Sequence, residues 1–201
     1  MQTGLVRASQ LPARGRRSTA TPVLTTAAAL VRETTGIITQ ISGTAPVSYA
    51  VWMLGAFQHA SAAPVAWIAQ PEQLPFPPDL TAAGLDLERL LIVRPETQAQ
   101  RMTSVDRILR QELCSLTVWH LDPAQPPPPG ILGRFMHLCT RTHAGLVLLV
   151  PGDALALAPA VRLHLRVMPD AVPSRLKIDV LRSRSTVESV RVDSRFSPGL
   201  C

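Results

Sequence analysis

The residues best placed for chemistry follow a short β-branched run near the amino end of the chain. Gly36–Gly43 is rich in isoleucine and threonine, and its bounding glycines predict a strand that ends in a turn. In open α/β sheets ligands bind beyond the carboxyl ends of such strands, where a nucleotide-binding protein places its phosphate loop. Such a loop combines flexible glycines with a lysine for the phosphates and a serine or threonine for Mg²⁺.

The segment after this strand has the position of a phosphate loop but not its chemistry. It reads Thr-Ala-Pro-Val-Ser-Tyr, with no lysine and no second glycine. Pro46 has no N–H to offer to a phosphate, and Tyr49 stands where the lysine belongs. Gly43, Ser48 and Tyr49 are therefore interpreted as degenerate loop positions, and no nucleotide cofactor or catalytic residue is predicted. We expect the loop to run directly into the next helix and to block the phosphate cavity, because interiors leave few large voids.

Other reactive side chains do not form a recognisable site. Asp122 follows an apolar strand, but without a phosphate loop it is interpreted as a turn or cap residue. His137, Cys139 and His143 are offset by two and six positions on a predicted helix, so they point to different faces. No second cluster completes a tetrahedral site, and no metal is predicted.

Five apolar runs alternate with helical segments before the pattern changes. The runs are typical of central parallel strands and cover 36–43, 64–69, 90–93, 116–121 and 146–150. Helices are predicted over 47–60, 79–84, 95–112 and 130–143. Residues 161–167 and 176–180 instead alternate apolar with mostly charged side chains, which predicts two half-exposed antiparallel strands. The sequence therefore predicts a three-layer α/β sandwich with a mostly parallel central sheet and an antiparallel edge near the carboxyl end.

One stretch of the chain resembles the RecA-like superfamily. The run from Gly36 through a buried helix to the strand at 66–69 is similar to the start of the RecA core. The most specific match is Ala82–Pro95, where Gly-Leu-Asp is followed by Glu-Arg-Leu-Leu and Val-Arg-Pro. In this form it is most similar to the ImuA proteins and the related SulA proteins, and the resemblance covers residues 36–182. The chain departs from RecA at the whole phosphate-loop motif, so recombinase activity is not carried over.

The resemblance implies a function without catalysis. ImuA-like proteins are accessory members of a DNA-damage-induced mutagenesis cassette. They act in translesion synthesis with an ImuB-like polymerase homologue and an error-prone polymerase, and RecA is a further partner to consider. SulA-like proteins instead bind FtsZ and stop cell division. An atypical RecA-like ATPase is the third alternative, from a different class of function.

Positive charge is concentrated at the two ends of the chain. Residues 1–32 carry five arginines and no acidic residue, and residues 162–195 carry eight basic and four acidic residues. We accordingly divide the chain into a mobile basic arm (1–34), a RecA-like core domain without a functional phosphate loop (35–182) and a polar tail (183–201). The tail is too polar to add to the core and is expected to be mobile on its own.

Basic ends predict an anionic partner, with plain solubility as the alternative. The predicted partner-binding residues lie at the carboxyl end of the chain and are Arg182, Arg184, Arg191 and Arg195. Direct contact of these arginines with DNA phosphates is a second, subordinate interpretation.

Length and composition bound the class of protein. The 201 residues are 46% hydrophobic, which predicts one globular domain. No run of about 18 uncharged apolar residues is present, so no membrane span is predicted. Three widely spaced cysteines do not make a disulfide framework, and they fit a reducing cytosol and a cytoplasmic protein. The oligomeric state stays open.

Overall fold

The fold was analysed in a computed structural model that describes residues 26–150, 152, 159–171, 175–183 and 189–193. Its helices are α1 Ala27–Thr34, α2 Pro46–Ala60, α3 Pro77–Ala82, α4 Gln98–Arg110 and α5 Pro129–Thr142. Its strands are β1 Ile38–Gly43, β2 Val65–Ile68, β3 Leu90–Val93, β4 Leu116–His120, β5 Gly145–Leu149, β6 Val161–Pro169, β7 Arg175–Arg182 and β8 Ser189–Asp193. No helix within these ranges combines the length and the apolar character needed to cross a bilayer.

All eight strands form a single sheet in the order β3-β2-β4-β5-β1-β6-β7-β8. The six strands from β3 to β6 run parallel to their neighbours. β7 and β8 are added antiparallel beyond β6. The predicted fold class, a mostly parallel sheet with an antiparallel edge, is confirmed.

Helices cover the sheet on both faces, which explains why the central strands are apolar along their whole length. One core cluster joins α1, α2 and α3 to the sheet and includes Leu30, Leu54 and Leu80. A second cluster lies on the opposite face under α4 and α5 and includes Leu109 and Phe135. The residues of β1, β2, β4 and β5 are buried on both faces, apart from half-buried His120.

The boundary predicted for the amino-terminal arm is wrong. Residues 27–34 form α1 rather than part of a mobile arm. Thr26 caps this helix, since its hydroxyl oxygen accepts a hydrogen bond from the Ala29 amide at 3.2 Å. Leu30 is fully buried in the core cluster that α1 shares with α2. The described core therefore includes α1 and its cap Thr26, and the rest of the predicted arm, residues 1–25, lies outside the described residues.

The carboxyl-terminal tail also contributes to the fold, contrary to prediction. Ser189–Asp193 forms β8, which pairs with β7 in the register Ile178↔Val190 and Leu176↔Val192. A strand at the edge of a sheet is held by main-chain hydrogen bonds, which do not depend on how polar its side chains are. Of the predicted partner-binding arginines in this region, Arg191 lies in β8 opposite Lys177, whereas Arg184 and Arg195 fall outside the described residues.

A polar joint ties the outer strand β3 to the end of α2. The Gln58 side chain donates to the Asp86 carbonyl at 2.8 Å and accepts from the Asp86 amide at 3.0 Å. The Arg89 guanidinium, just before β3, donates to the carbonyls of Gln58 at 3.1 Å, Ala63 at 3.2 Å and Ser61. Arg89 thereby satisfies carbonyls that the carboxyl end of a helix leaves without partners.

Candidate functional site

The turn between β1 and α2 contains only two residues, Thr44 and Ala45. It begins at Gly43, whose φ of +106° favours glycine. A Cβ atom built on Gly43 would lie 2.2 Å from the carbonyl oxygen of Val167 in β6, so no other residue fits without movement of the backbone. β6 therefore contacts the β1–α2 turn directly, at the position where a phosphate loop would lie.

The main-chain amides of this turn are used within the protein. The Gly43 amide donates to the Gly152 carbonyl at 2.9 Å. The Thr44 and Ala45 amides both donate to the Val167 carbonyl, at 3.1 and 3.2 Å. The next residue, Pro46, has no amide hydrogen. Three successive amides of this turn are therefore engaged with carbonyl groups, and the fourth residue has none to offer to a phosphate.

Tyr49 occupies the position of the missing lysine and belongs to the core. Its side chain is fully buried in the cluster between α2 and the sheet. The ring stacks on Trp52 with centroids 5.4 Å apart. Its hydroxyl makes no hydrogen bond in the described structure, and burial raises the pKa of this phenol well above its usual range. Ser48, at the position of the second glycine of a phosphate-loop motif, is also buried.

A buried polar pair lies next to the turn, and the sequence did not reveal it. Ser42 Oγ in β1 is 3.1 Å from His164 Nε2 in β6, and it also donates to the Leu165 carbonyl at 3.3 Å. A hydroxyl has one hydrogen, so when Ser42 donates to Leu165 its oxygen accepts from the Nε2–H of His164. The histidine is then a donor to the serine and does not serve as its base. The pair joins β1 to β6.

The environment of His164 favours the neutral imidazole. Burial lowers the pKa of His164 below its ordinary value, and the positive charges of Arg166 and Arg182 lower it further. The alternation of β6 predicted a half-exposed residue at this position, yet His164 is only 4% exposed. One sequence signal for this burial was missed. β1 is a buried strand that nevertheless contains the polar residues Gln40 and Ser42, and His164 lies opposite Gln40 where β6 pairs with β1.

The other candidate residues keep structural roles. Asp122 accepts a hydrogen bond from the Ala124 amide at 2.9 Å, which confirms its interpretation as a turn residue. His120 ends β4, and burial lowers its pKa, against the opposing effect of a hydrogen bond with the Gln73 main chain. Burial raises the pKa of the Cys139 thiol to about 12, so this sulfur stays protonated at neutral pH. No three metal-ligating side chains come together in the part of the chain that the structure describes.

Comparison with known proteins places the fold. No family model matches the chain, and no curated protein matches it. Among solved structures, the crystal structure of the RadB recombinase matches with a TM-score of 0.61. The match covers 79% of this chain and 86% of the recombinase chain, at 14% sequence identity.

The fold is RecA-like. This confirms the RecA-like fold that the resemblance of residues 36–182 implies. At so low an identity the similarity establishes the architecture alone, and the finer resemblance to ImuA rests on the sequence motifs. Within the RecA-like fold, the β1–α2 turn of this chain is closed by β6.

Replacing Gly43 tests the contact between the turn and β6. We expect Gly43→Ala to lower the free energy of unfolding by about 3 kcal/mol or more, because the new methyl group meets the Val167 carbonyl and φ is positive. Gly133→Ala is the matched control, since a Cβ there meets nothing within 4 Å. In mid-helix it should stabilise by about 0.5–1 kcal/mol. Urea unfolding measures both, and equal stabilities of Gly43→Ala and the unmodified chain would contradict the described contact.

The buried histidine predicts a loss of stability on acidification. The pKa of His164 is lower in the folded chain than the value of about 6.5 in the unfolded one, so the unfolded chain binds more protons between these two pKa values. Its stabilising contribution is complete above pH ~6.5 and is lost as the pH falls through the folded pKa. The pKa of His120 is also lowered and acts in the same direction.

Denaturant unfolding at pH values between about 5 and 8 measures this effect. His164→Gln should flatten the dependence of the unfolding free energy on pH. His137→Gln, at an exposed position of α5, is the matched substitution for comparison. An unaltered slope in His164→Gln would show that this histidine is equally protonated in the folded and unfolded chain.

Proposed function

We propose that this chain is a non-catalytic RecA-like accessory protein of a DNA-damage-induced translesion synthesis complex. It acts through contacts with an ImuB-like polymerase homologue, with an error-prone polymerase and RecA as further members of the assembly. The assignment to this complex is supported by the resemblance of Ala82–Pro95 to ImuA proteins. The absence of catalysis is supported by the β1–α2 turn.

The observation that carries the proposal is the use of the turn amides. A nucleotide would need the amides of Gly43, Thr44 and Ala45, which donate to main-chain carbonyls at 2.9–3.2 Å. It would also need a cation where Tyr49 is packed against Trp52. Freeing the turn means pulling β6 away from β1, with which it pairs along the whole length of β1. A protein built this way works by binding partners, which argues against the atypical ATPase.

Nucleotide titration tests the catalytic part of the proposal. We expect no binding of ATP with Mg²⁺ tighter than about 10 μM, which corresponds to roughly 7 kcal/mol. Tyr49→Lys should not create ATPase activity, because the amides stay engaged and the ammonium group enters the core. Tyr49→Phe is the folding control, since the Tyr49 hydroxyl makes no hydrogen bond within the described residues. Saturable heat on adding ATP, or turnover in Tyr49→Lys, would contradict the proposal.

Co-purification tests the partner. The binding residues proposed are Arg182 at the end of β7 together with Arg184, Arg191 and Arg195. We expect the triple variant Arg184→Ala, Arg191→Ala, Arg195→Ala to lose co-purification with the ImuB-like protein of the same cell.

A matched triple variant controls for the loss of positive charge. It carries Arg94→Ala, Arg107→Ala and Arg141→Ala, which are exposed and far from β8 in the order of the sheet. It should co-purify normally. Capture of FtsZ instead of the ImuB-like protein by the unmodified chain would favour the SulA-like alternative.

A further inference from the structure

A buried arginine lies in the first turn of α4, on the side of the helix that faces the sheet. The buried residues of this helix form one stripe along it and are Arg101, Val105, Ile108 and Leu109. The last three pack in the core cluster that α4 and α5 share with the sheet. Arg101 is only 3% exposed and lies at the amino-terminal end of the stripe. A charged side chain thus continues a stripe that is otherwise apolar.

The guanidinium of Arg101 has no carboxylate partner among the described residues. Its Nη1 atom is 3.5 Å from Gln98 Oε1, which is a long contact, and its Nε–H is buried without an acceptor. The acidic residues nearest in the neighbouring loops are engaged elsewhere or exposed. Asp122 accepts from the Ala124 amide at 2.9 Å, and Glu96 is exposed. Because a buried charge is costly unless it is paired, this guanidinium calls for an anionic partner.

The amino end of α4 supplies two more hydrogen-bond donors. Helical side chains lean toward the amino end, and the contact with Gln98 places the Arg101 guanidinium there. The Thr97 hydroxyl accepts from the Gln100 amide at 3.2 Å, whereas the amides of Gln98 and Ala99 have no acceptor within the described residues. The first turn contains no acidic residue, so the positive end of the helix dipole is not compensated. Guanidinium, amides and dipole all favour an anion at this end.

This end of α4 lies at the edge of the sheet where open α/β folds bind ligands. α4 follows β3, so its first turn lies at the carboxyl edge of the parallel strands. The loop between β4 and α5 approaches it there, since Gln98 Nε2 donates to the Gln125 carbonyl at 2.8 Å. This hydrogen bond lies at the surface, so a ligand that enters beside the loop has one solvent-exposed contact to break. A second buried donor of the same layer, Trp119 Nε1 near the end of β4, also lacks an acceptor in the described structure.

We propose that Arg101 and the first turn of α4 bind an oxyanion, namely the phosphate or carboxylate group of a small molecule. The guanidinium fork pairs with either group through two N–H donors, and the helix amides add further hydrogen bonds. Because Arg101 is almost fully buried, the ligand must place its charged group inside the fold, which a small molecule can do and an extended macromolecular surface cannot. The strands β4 and β5 separate this site from the β1–α2 turn, and its failure leaves the proposed function untouched.

Thermal unfolding of the full chain tests for the anion. The probes are sodium phosphate and sodium acetate, each compared with sodium chloride at equal ionic strength and pH. For a dissociation constant of about 1 mM, 20 mM of the bound anion should raise the Tm by roughly 4–7 °C above its value in chloride. A rise with either probe supports the site, and the larger rise identifies the group that it takes. No rise with either probe overturns the proposal.

Removal of the guanidinium locates the site. Arg101→Met should abolish the rise in Tm and should leave the chain at least as stable in chloride, because an apolar side chain replaces an unpaired buried charge. Arg107→Met removes the same charge from an exposed position of α4 and should keep the response to the anion. A response retained in Arg101→Met would place the anion elsewhere and overturn the proposal. So would an Arg101→Met chain that is much less stable in chloride than Arg107→Met, since Arg101 would then be satisfied within the fold.

Two direct measurements examine the geometry of the contact. Arg101→Lys keeps the charge but loses the planar fork, and it should weaken anion binding by about tenfold. In NMR titrations of the unmodified chain with the same anion, the amide resonances of Gln98 and Ala99 should shift and saturate with the Tm response. Equal affinity in Arg101→Lys, or shifts that leave these two amides unchanged, would overturn the proposal.

Discussion

The approach of Gly43 to the Val167 carbonyl is the contact on which the rest of this architecture depends. One oxygen accepts two amides, from Thr44 and Ala45, and fixes the carboxyl end of β1 against β6. With β6 held there, β7 and β8 have an edge on which to add. The first turn of α2 must then start within two residues of the strand, which directs Tyr49 into the core.

In this arrangement the amino end of α2 has a structural role and does not offer an anion-binding site. The amino end of a helix attracts anions because its amides are free and its dipole is positive there. In α2 the preceding amides are consumed by β6, a proline takes the first position, and no acidic residue stands in the first turn. The buried Tyr49 hydroxyl without a partner costs about 1–3 kcal/mol, which the packing of its ring on Trp52 and the sheet offsets. The first turn of α2 is therefore part of the hydrophobic core.

Features of this protein that depend on local sequence were predictable. The apolar runs located the five central strands, and the alternation of 161–167 and 176–180 located β6 and β7. The proline and the lack of a second glycine after Gly43 predicted a turn that runs directly into α2, as the structure has it. α4 begins at Gln98, three residues later than predicted, because Thr97 and Gln100 form a capping box that sets its start.

What escaped prediction depends on distant partners. Gly43 and Val167 are far apart in the chain, so no local sequence pattern predicts that the Val167 carbonyl closes the β1–α2 turn. The same holds for Ser42 and His164, whose burial follows from the pairing of β1 with β6. β8 was not predicted because its sequence is polar, whereas the strand is held by main-chain pairing with β7.

The joint formed by Gln58 and Arg89 determines which parts of the molecule open together. β3 is an edge strand of the sheet, and Leu91 and Ile92 are about 40% exposed, so a strand in this position would ordinarily fray early. Detaching it, however, withdraws the Arg89 guanidinium from the Gln58 carbonyl in the last turn of α2 and from the carbonyls of Ser61 and Ala63 just after it. Opening of this edge is therefore coupled to the loss of the hydrogen bonds that hold the carboxyl end of α2.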